Sequence, residues 1–170
     1  MEAITARHGG YDDGMIEVFD EICYYLIKDQ KADLEVTDDY LTTALIHAAD
    51  YNRNEVLRVL IDNNANIKAQ NVFGNHAAYC AAFYGNLDTL EMMVTKDRSV
   101  IDLKGWQCQT PLIISSYLSY GHPSNGNPQI VKFLVDQKAN VNLKDDYGKT
   151  ALQQASNPEI IKILNKVSQV

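Results

Sequence analysis

The chain repeats a short phrase about every 33 residues, and this period constrains the fold more than any other feature of the sequence. The clear copies of the phrase are Lys31–Val36, Asn64–Ala69 and Lys138–Lys144. Ala32 and Ala65 are 33 residues apart, and Ala65 and Ala139 are 74 apart, which is two periods with 7 residues to spare. A degenerate copy, Ser99–Lys104, falls in the longer interval. Such self-similarity is typical of stacked repeats, in which each unit packs only against its neighbours.

A second phrase follows the same period and marks the start of a helix. Its copies are Thr43-Ala44-Leu45, His76-Ala77-Ala78, Thr110-Pro111-Leu112 and Thr150-Ala151-Leu152. Their spacings are 33, 34 and 40, so one insertion of 7 residues explains both irregular intervals. Threonine before an alanine-rich segment is typical of an N-cap, and proline at the first helical position loses no hydrogen bond. The sequence therefore predicts two short helices in each unit, and in the second helix apolar residues recur at helical spacing.

Together the two phrases resemble the ankyrin repeat pattern over roughly residues 14–167. The segments that carry the resemblance are Asn71–Gly74, Gly85-Asn86, Thr110–Leu112 and Asp145–Thr150. The resemblance implies an all-α ankyrin-repeat solenoid of stacked helix–turn–helix units with β-turn or hairpin tips. It implies one domain over 1–170, with units at 1–36 (N-terminal cap), 37–69, 70–103, 104–144 (loop insertion near 119–128) and 145–170 (C-terminal cap).

The chain departs from the family pattern at its caps and turns. The histidine that the family places after T-P-L is absent from every unit, and His76 replaces the capping threonine in one of them. Leu41 and Cys108 replace the turn glycine in two others. Because a lost N-cap costs about 1 kcal/mol, the sequence predicts an array of moderate stability.

The two ends are expected to be degenerate, because terminal units must face water. A helix is predicted over about 15–30, and a short helix over Glu2–Arg7 is left open. The apolar stripe of the first of these is Phe19, Ile22, Cys23, Leu26 and Ile27. The last unit is interrupted at Ser156–Pro158 and ends in a helix over Ile160–Val167. The Gly-, Pro- and Asn-rich loop near 119–128 is either a tolerated insertion or a contact finger.

Composition and charge narrow the possible partners. Fifteen Lys and Arg against 22 Asp and Glu give a net charge of −7, which disfavours nucleic acid because phosphate binding needs clustered cations. A basic or neutral protein partner is expected instead. The densest apolar run, Ile22–Ile27, is too short to span a membrane, and Met1–Gly10 lacks the apolar core of a signal peptide. We expect no membrane contact and a cytoplasmic location. Cys23, Cys80 and Cys108 form no C-x-x-C pair and cannot all pair within the chain, so they favour a reduced compartment.

The sequence contains no pattern typical of a catalytic or metal site. His8, His47, His76 and His122 do not stand at metal-ligand spacing with cysteine or carboxylates, and no glycine-rich phosphate motif occurs. The acidic pairs Asp12-Asp13, Asp38-Asp39 and Asp145-Asp146 are interpreted as turn or cap residues. We expect no enzymatic activity, no cofactor and no metal. The alternative is an enzyme, or an enzyme subunit, with a site at the His122 loop.

The resemblance also implies where a partner would bind, since ankyrin arrays usually bind through the turn tips and the exposed side of each first helix. Carried onto this sequence, the rule selects Asp39, Tyr40, Thr42, Asp50, Tyr51, Val72, Phe73, Asn75, Phe83, Tyr84, Trp106, Gln107, Gln109, Tyr117, Leu118, Asp146, Tyr147 and Lys149. Eight of these eighteen positions are aromatic, although the whole chain is 9% aromatic. An exposed aromatic stripe reduces solubility unless something binds it.

We expect a partner to contact twelve of these positions. They are Asp39, Tyr40, Asp50, Tyr51, Phe73, Phe83, Tyr84, Trp106, Gln107, Tyr117, Asp146 and Tyr147. Tyrosine and tryptophan dominate interface energies, so the pattern favours a non-enzymatic module. It would bind a protein partner on a concave aromatic and acidic face and inhibit, sequester or scaffold it. A bacterial toxin-neutralising inhibitor is one specific form. A surface for homodimer assembly is the alternative to a monomer.

Overall fold

The computed structural model describes residues 13–29, 31–117 and 126–167, with side chains from residue 21 onward. The predicted short helix over residues 2–7 and most of the predicted loop near 119–128 lie outside this range. Throughout the described residues the secondary structure is helical, apart from turns and one isolated antiparallel bridge between Thr37 and Thr43. The predicted all-α fold is therefore confirmed. The chain divides into two compact units, Met1–Asp33 and Leu34–Val170.

The first unit contains one described helix, α1 (Asp13–Lys28), which begins and ends two residues before the predicted 15–30. Of the predicted apolar stripe, Ile27 is buried and Cys23 is half-buried. Ile22 and Leu26 are exposed within the described chain, while the side chain of Phe19 is outside the described set. The helix is confirmed, but its apolar stripe is only partly buried.

The second unit is built from eight described helices joined by tight turns. They are α2 (Ala44–Asp50), α3 (Asn54–Asp62), α4 (Ala77–Tyr84), α5 (Leu87–Lys96), α6 (Pro111–Tyr117), α7 (Pro128–Asp136), α8 (Ala151–Gln154) and α9 (Pro158–Val167). The even-numbered helices pack consecutively on one another, and each also packs on the odd-numbered helix that follows it. Short 3-10 helices cover Arg98–Asp102 and Trp106–Cys108.

The core lies between these helices, and small residues let the even-numbered helices approach closely. Ala49, Ala82 and Ser116 are fully buried. Both sets of helices supply large, fully buried apolar side chains, among them Leu45, Ile46, Leu112, Ile113 and Ile114 from the even-numbered helices and Leu57, Leu60, Leu90, Ile130, Leu134 and Ile160 from the odd-numbered ones. Because helices of 4 to 10 residues are too short to be stable alone in water, the stability of each unit comes from its neighbours.

The predicted threonine caps are confirmed. Thr43 Oγ1 accepts the Ile46 N–H at 3.4 Å, and Thr110 Oγ1 accepts the Ile113 N–H at 3.3 Å. Thr150 forms a full capping box with Gln153, in which each side chain accepts a backbone N–H of the other residue. The three helices that begin after these threonines therefore start with part of their N–H groups satisfied.

The predicted loss of a cap at His76 is wrong. The buried His76 ring accepts the Tyr79 N–H through Nδ1 at 3.3 Å, which is the bond a threonine would make. Its Nε2–H donates to the Leu103 carbonyl at 3.0 Å, so the ring also ties α4 to the following segment. Burial lowers the pKa of His76 to about 4, and the bond to Leu103 opposes that shift only in part. The uncharged histidine ring therefore replaces the missing threonine as the helix cap.

The two residues that replace the turn glycines do carry backbone strain. Leu41 and Cys108 have φ angles of 57° and 55°, in the left-handed region where the family places glycine. This conformation costs a residue with a Cβ roughly 1–2 kcal/mol. At these two turns the expected cost of departing from the family pattern is present in the backbone.

The low pKa of His76 makes stability depend on pH. The unfolded chain, in which the ring has its ordinary pKa of 6.5, binds the proton more readily than the folded chain. The contribution of His76 to stability is therefore complete above pH 6.5 and is lost as the pH falls toward 4. For this group alone, linkage gives a loss of roughly 2 kcal/mol in the free energy of unfolding between pH 7 and pH 5.

We expect His76→Thr to remove that component of the pH dependence while keeping the cap, because threonine does not titrate. Urea unfolding of both proteins at pH 7 and pH 5 measures the difference directly. Wild type should lose more stability than the variant over this interval. An equal loss in both proteins would contradict the account of His76 as a neutral cap.

Candidate functional site

Four hairpin tips precede the even-numbered helices, and each is closed by a backbone bond across five residues. The N–H to carbonyl distances are 3.2 Å for Asp38 to Thr42, 3.0 Å for Asn71 to Asn75, 2.8 Å for Gly105 to Gln109 and 3.0 Å for Asp145 to Lys149. In three tips the first side chain also caps the turn. Asp38 Oδ1, for example, accepts the N–H groups of Tyr40 and Thr42, both at 2.9 Å. These bonds hold the tips in one conformation.

One predicted site residue of each tip presents an exposed aromatic ring, and we call Tyr40, Phe73, Trp106 and Tyr147 the aromatic row. Their exposed fractions are 60%, 46%, 45% and 65%. The rings of Tyr40 and Phe73 stack with centroids 6.2 Å apart, and Phe73 meets Trp106 edge to face at 5.9 Å. The Val72 N–H donates to the Tyr40 carbonyl at 2.8 Å, so adjacent tips are also joined through their backbones.

The tip at Gly105 is built differently from the other three. A Cβ on Gly105 would lie 2.5 Å from Cδ2 of Tyr79, a buried residue of α4. The tyrosine ring therefore occupies the space in which the other tips carry Asp or Asn. Asn75 from the previous tip compensates, because its Oδ1 accepts the Trp106 N–H at 3.0 Å.

Behind this tip, a chain of side-chain hydrogen bonds leads from the core to the surface, and we call it the amide network. The Tyr79 hydroxyl donates to Gln109 Oε1 at 3.3 Å. Gln109 Nε2 donates to the Tyr117 hydroxyl oxygen at 2.8 Å and to Gln107 Oε1 at 3.5 Å. Gln107 Nε2 in turn donates to the Tyr147 hydroxyl oxygen at 2.9 Å. Three predicted site residues are thus joined through Gln109, which is 1% exposed.

The remaining predicted aromatic residues lie at the C-terminal ends of the even-numbered helices. We call Tyr51, Phe83, Tyr84 and Tyr117 the helix-end aromatics. Tyr51 is exposed and stacks on His47 at 6.3 Å, and Phe83 packs edge to face on Tyr84 at 4.9 Å. Phe83, Tyr84 and Tyr117 are half-buried, so they offer less surface than the aromatic row.

Comparisons with known proteins identify the family. A family profile described as "Ankyrin repeats (3 copies)" matches residues 15–105, and one described as "Ankyrin repeat" matches residues 107–146. The chain belongs to the ankyrin repeat family. It is 28% identical over 155 residues to neurogenic locus notch homolog protein 1 of Xenopus laevis, an alignment that covers 87% of this chain and 6% of that protein. The chain thus spans a small fraction of that relative's length. Ankyrin repeats are in general protein–protein interaction modules.

The acidic residues of this ankyrin array differ in how far they face solvent. Asp39 and Asp146 are exposed at the tips, whereas Asp50 is half-buried and hydrogen-bonds the Cys80 thiol. Burial, reinforced by Asp50, raises the pKa of Cys80 well above its ordinary value. The hydrogen bond to the Asp146 carboxylate raises the pKa of Cys108. Both thiols are therefore held protonated at neutral pH.

The described residues contain no cluster of three or more histidine, cysteine, aspartate or glutamate side chains placed to hold a metal ion. Among the described helices, none combines the length and the apolar character that a membrane crossing requires. The closest pairing of a histidine with an acid at the tips joins His47 Nε2 to Asp38 Oδ2 at 3.0 Å. The N–H groups of the turn, Thr42 first, hold the pKa of Asp38 below its usual range.

Sequence reasoning missed Tyr79, which lies behind the site. Tyr79 stands where the family places histidine, and Gly105 stands where it places aspartate. Those two departures belong to one steric arrangement, because the ring fills the space of the missing side chain. A search for departures that occur together in adjacent units of an ankyrin array could have found the pair.

We expect Gly105→Ala to destabilise the fold by roughly 1–3 kcal/mol, because the added methyl group would lie 2.5 Å from Cδ2 and 2.7 Å from Cγ of the buried Tyr79 ring. In a Tyr79→Ala background the same change should cost less than about 0.5 kcal/mol, since the obstructing ring is gone. Denaturant unfolding of the four proteins in this double-mutant cycle gives the coupling. Equal costs of Gly105→Ala in both backgrounds would show that the ring does not define the tip.

The Asp146–Cys108 contact predicts thiol reactivity. Asp146→Asn removes the carboxylate that raises the Cys108 pKa, so the thiolate fraction and the alkylation rate should rise. The rate of iodoacetamide labelling at Cys108, followed by peptide mass spectrometry at pH 8, measures this. Asp39→Asn, on another tip, is the matched control and should leave the rate unchanged. A slower or unchanged rate in Asp146→Asn would contradict the contact.

Proposed function

We propose that this ankyrin repeat protein is a non-enzymatic cytoplasmic module that binds one protein partner through the aromatic row and the helix-end aromatics. Binding would inhibit, sequester or scaffold the partner by covering part of its surface. The observation that carries the proposal is the aromatic row, in which four rings remain 45% to 65% exposed while ring contacts and tip hydrogen bonds fix their places. Rings held in advance lose little conformational entropy when they bind.

Charge supports a basic or neutral partner. Asp38, Asp39 and Asp146 are exposed at the tips, beside the aromatic row. The net charge of −7 has the same sign, so long-range electrostatics would speed the approach of a cationic protein and slow that of nucleic acid or an anionic membrane. In this arrangement charge steers the partner and the aromatic rings hold it.

The test is capture from the native source with the tagged protein, combined with light scattering of the purified chain. We expect a monomer that retains one partner in stoichiometric amount. Trp106→Ala and Tyr84→Ala should each weaken a purified complex by about thirtyfold, the loss of a contact worth roughly 2 kcal/mol. Arg58→Ala, an exposed change on α3 away from the tips, is the control and should leave affinity unchanged.

Two outcomes would overturn the proposal. The first is a captured partner whose affinity is the same for wild type, Trp106→Ala and Tyr84→Ala, because the partner would then bind elsewhere. The second is a stable homodimer that captures nothing and dissociates when Trp106 is replaced. In that case the aromatic row would be a surface for self-assembly.

A further inference from the structure

The amide network has a direction. Gln109 receives the Tyr79 hydroxyl on its oxygen, so its nitrogen is the side that faces Tyr117 and Gln107. Gln107 then receives on its oxygen and donates from its nitrogen to Tyr147. Every donor in the chain therefore points from the core toward the surface, and the orientation of one buried amide sets the orientation of the rest.

This direction decides what the surface offers to a partner. The hydroxyl oxygens of Tyr117 and Tyr147 each already accept a hydrogen bond from an amide. Neither hydroxyl donates a hydrogen bond to any residue that the structure describes. A phenol that accepts one bond retains its O–H as a donor. Tyr147, in the aromatic row, and Tyr117, among the helix-end aromatics, thus present two hydroxyl donors.

The surroundings keep the Tyr117 hydroxyl protonated and disfavour an anionic acceptor. Burial, with a smaller contribution from the charge of Asp145, raises the pKa of Tyr117. Asp145 is 6% exposed, and its carboxylate is held by the N–H groups of Tyr147 and Lys149 and by the side chain of Gln154. A partner carboxylate at the two hydroxyls would be repelled by this fixed charge and by the exposed Asp146. An uncharged carbonyl oxygen would not.

We infer that Gln109 is the positioning residue of the binding surface, and that the partner segment held there offers main-chain carbonyl oxygens to the hydroxyls of Tyr117 and Tyr147. This inference rests on the proposed function. A segment that lays apolar side chains on the aromatic row carries its own main-chain carbonyls past the adjoining hydroxyls. Gln109 is buried and acts only through its neighbours, because its hydrogen bonds fix Gln107 directly and Tyr147 through Gln107.

The positioning role is tested first in the free protein. Gln109→Met removes both amide atoms and keeps the length of the side chain, so Tyr147 should change from one side-chain rotamer to an average of several. Three-bond couplings in tyrosine-labelled protein measure this. Gln70→Met is the matched control, because the Gln70 amide donates to the carbonyls of Gly74 and Lys104 and takes no part in the amide network. It should leave Tyr147 unchanged. Lower stability with an unchanged Tyr147 rotamer would reduce Gln109 to a structural residue and overturn the inference.

The donor role is tested on the purified complex by titration calorimetry. Tyr117→Phe and Tyr147→Phe keep the rings and remove only the hydroxyls, so each should weaken binding about threefold to tenfold, the loss of one neutral hydrogen bond. Gln109→Met should weaken binding to a similar extent and add little once both hydroxyls are absent. Tyr25→Phe changes an exposed tyrosine of α1 that is not among the proposed contact residues; it is the control and should have no effect.

The outcomes separate this inference from the proposed function. If Trp106→Ala weakens binding while both phenylalanine variants bind like wild type, the surface is correct and the donor inference is wrong. If Trp106→Ala has no effect, the proposed function itself fails. If no partner is captured, the Tyr147 couplings in Gln109→Met still decide whether Gln109 positions the surface.

Discussion

Close packing between consecutive even-numbered helices is the interaction on which the rest of the second unit depends. Each of these helices is only 4 to 8 residues long, and an isolated helix of that length does not persist in water. Fully buried small residues such as Ala49, Ala82 and Ser116 allow close approach, so each helix becomes part of the site in which the next one folds. In such an array, stability is a sum of contacts between neighbours.

The same arrangement leaves the tips available for binding. Backbone bonds close each tip, and contacts between adjacent tips set their order, so aromatic rings can remain exposed without collapsing onto the core. The tip at Gly105 shows how far the construction of a tip can be altered. Its turn has lost the acidic cap, yet Tyr79 behind it and Asn75 beside it hold it in place. The surface that results combines fixed rings with outward-pointing hydroxyl donors.

The sequence predicts the features that depend on local patterns, but it does not predict contacts between residues far apart along the chain. The period, the threonine caps and the positions of the tips depend on local patterns, and the structure confirms them. Tyr79 acts on Gly105, which lies 26 residues further along the chain, and His76 ties its helix to Leu103, which lies 27 residues further along. Helix and turn patterns contain no information on where a side chain points across such a distance. For the same reason the sequence placed Gln109 near the site but did not show its connecting role.

The most direct test of the central claim uses Trp106, the only tryptophan in the chain and a member of the aromatic row. With 5-fluorotryptophan in its place, one fluorine NMR signal reports on solvent contact at that ring, whatever partner is added. The account predicts a clear solvent isotope shift for the free protein, as expected for a ring that is 45% exposed, and its loss when the partner binds. A stoichiometric complex in which the isotope shift persists would show that the partner does not cover the aromatic row.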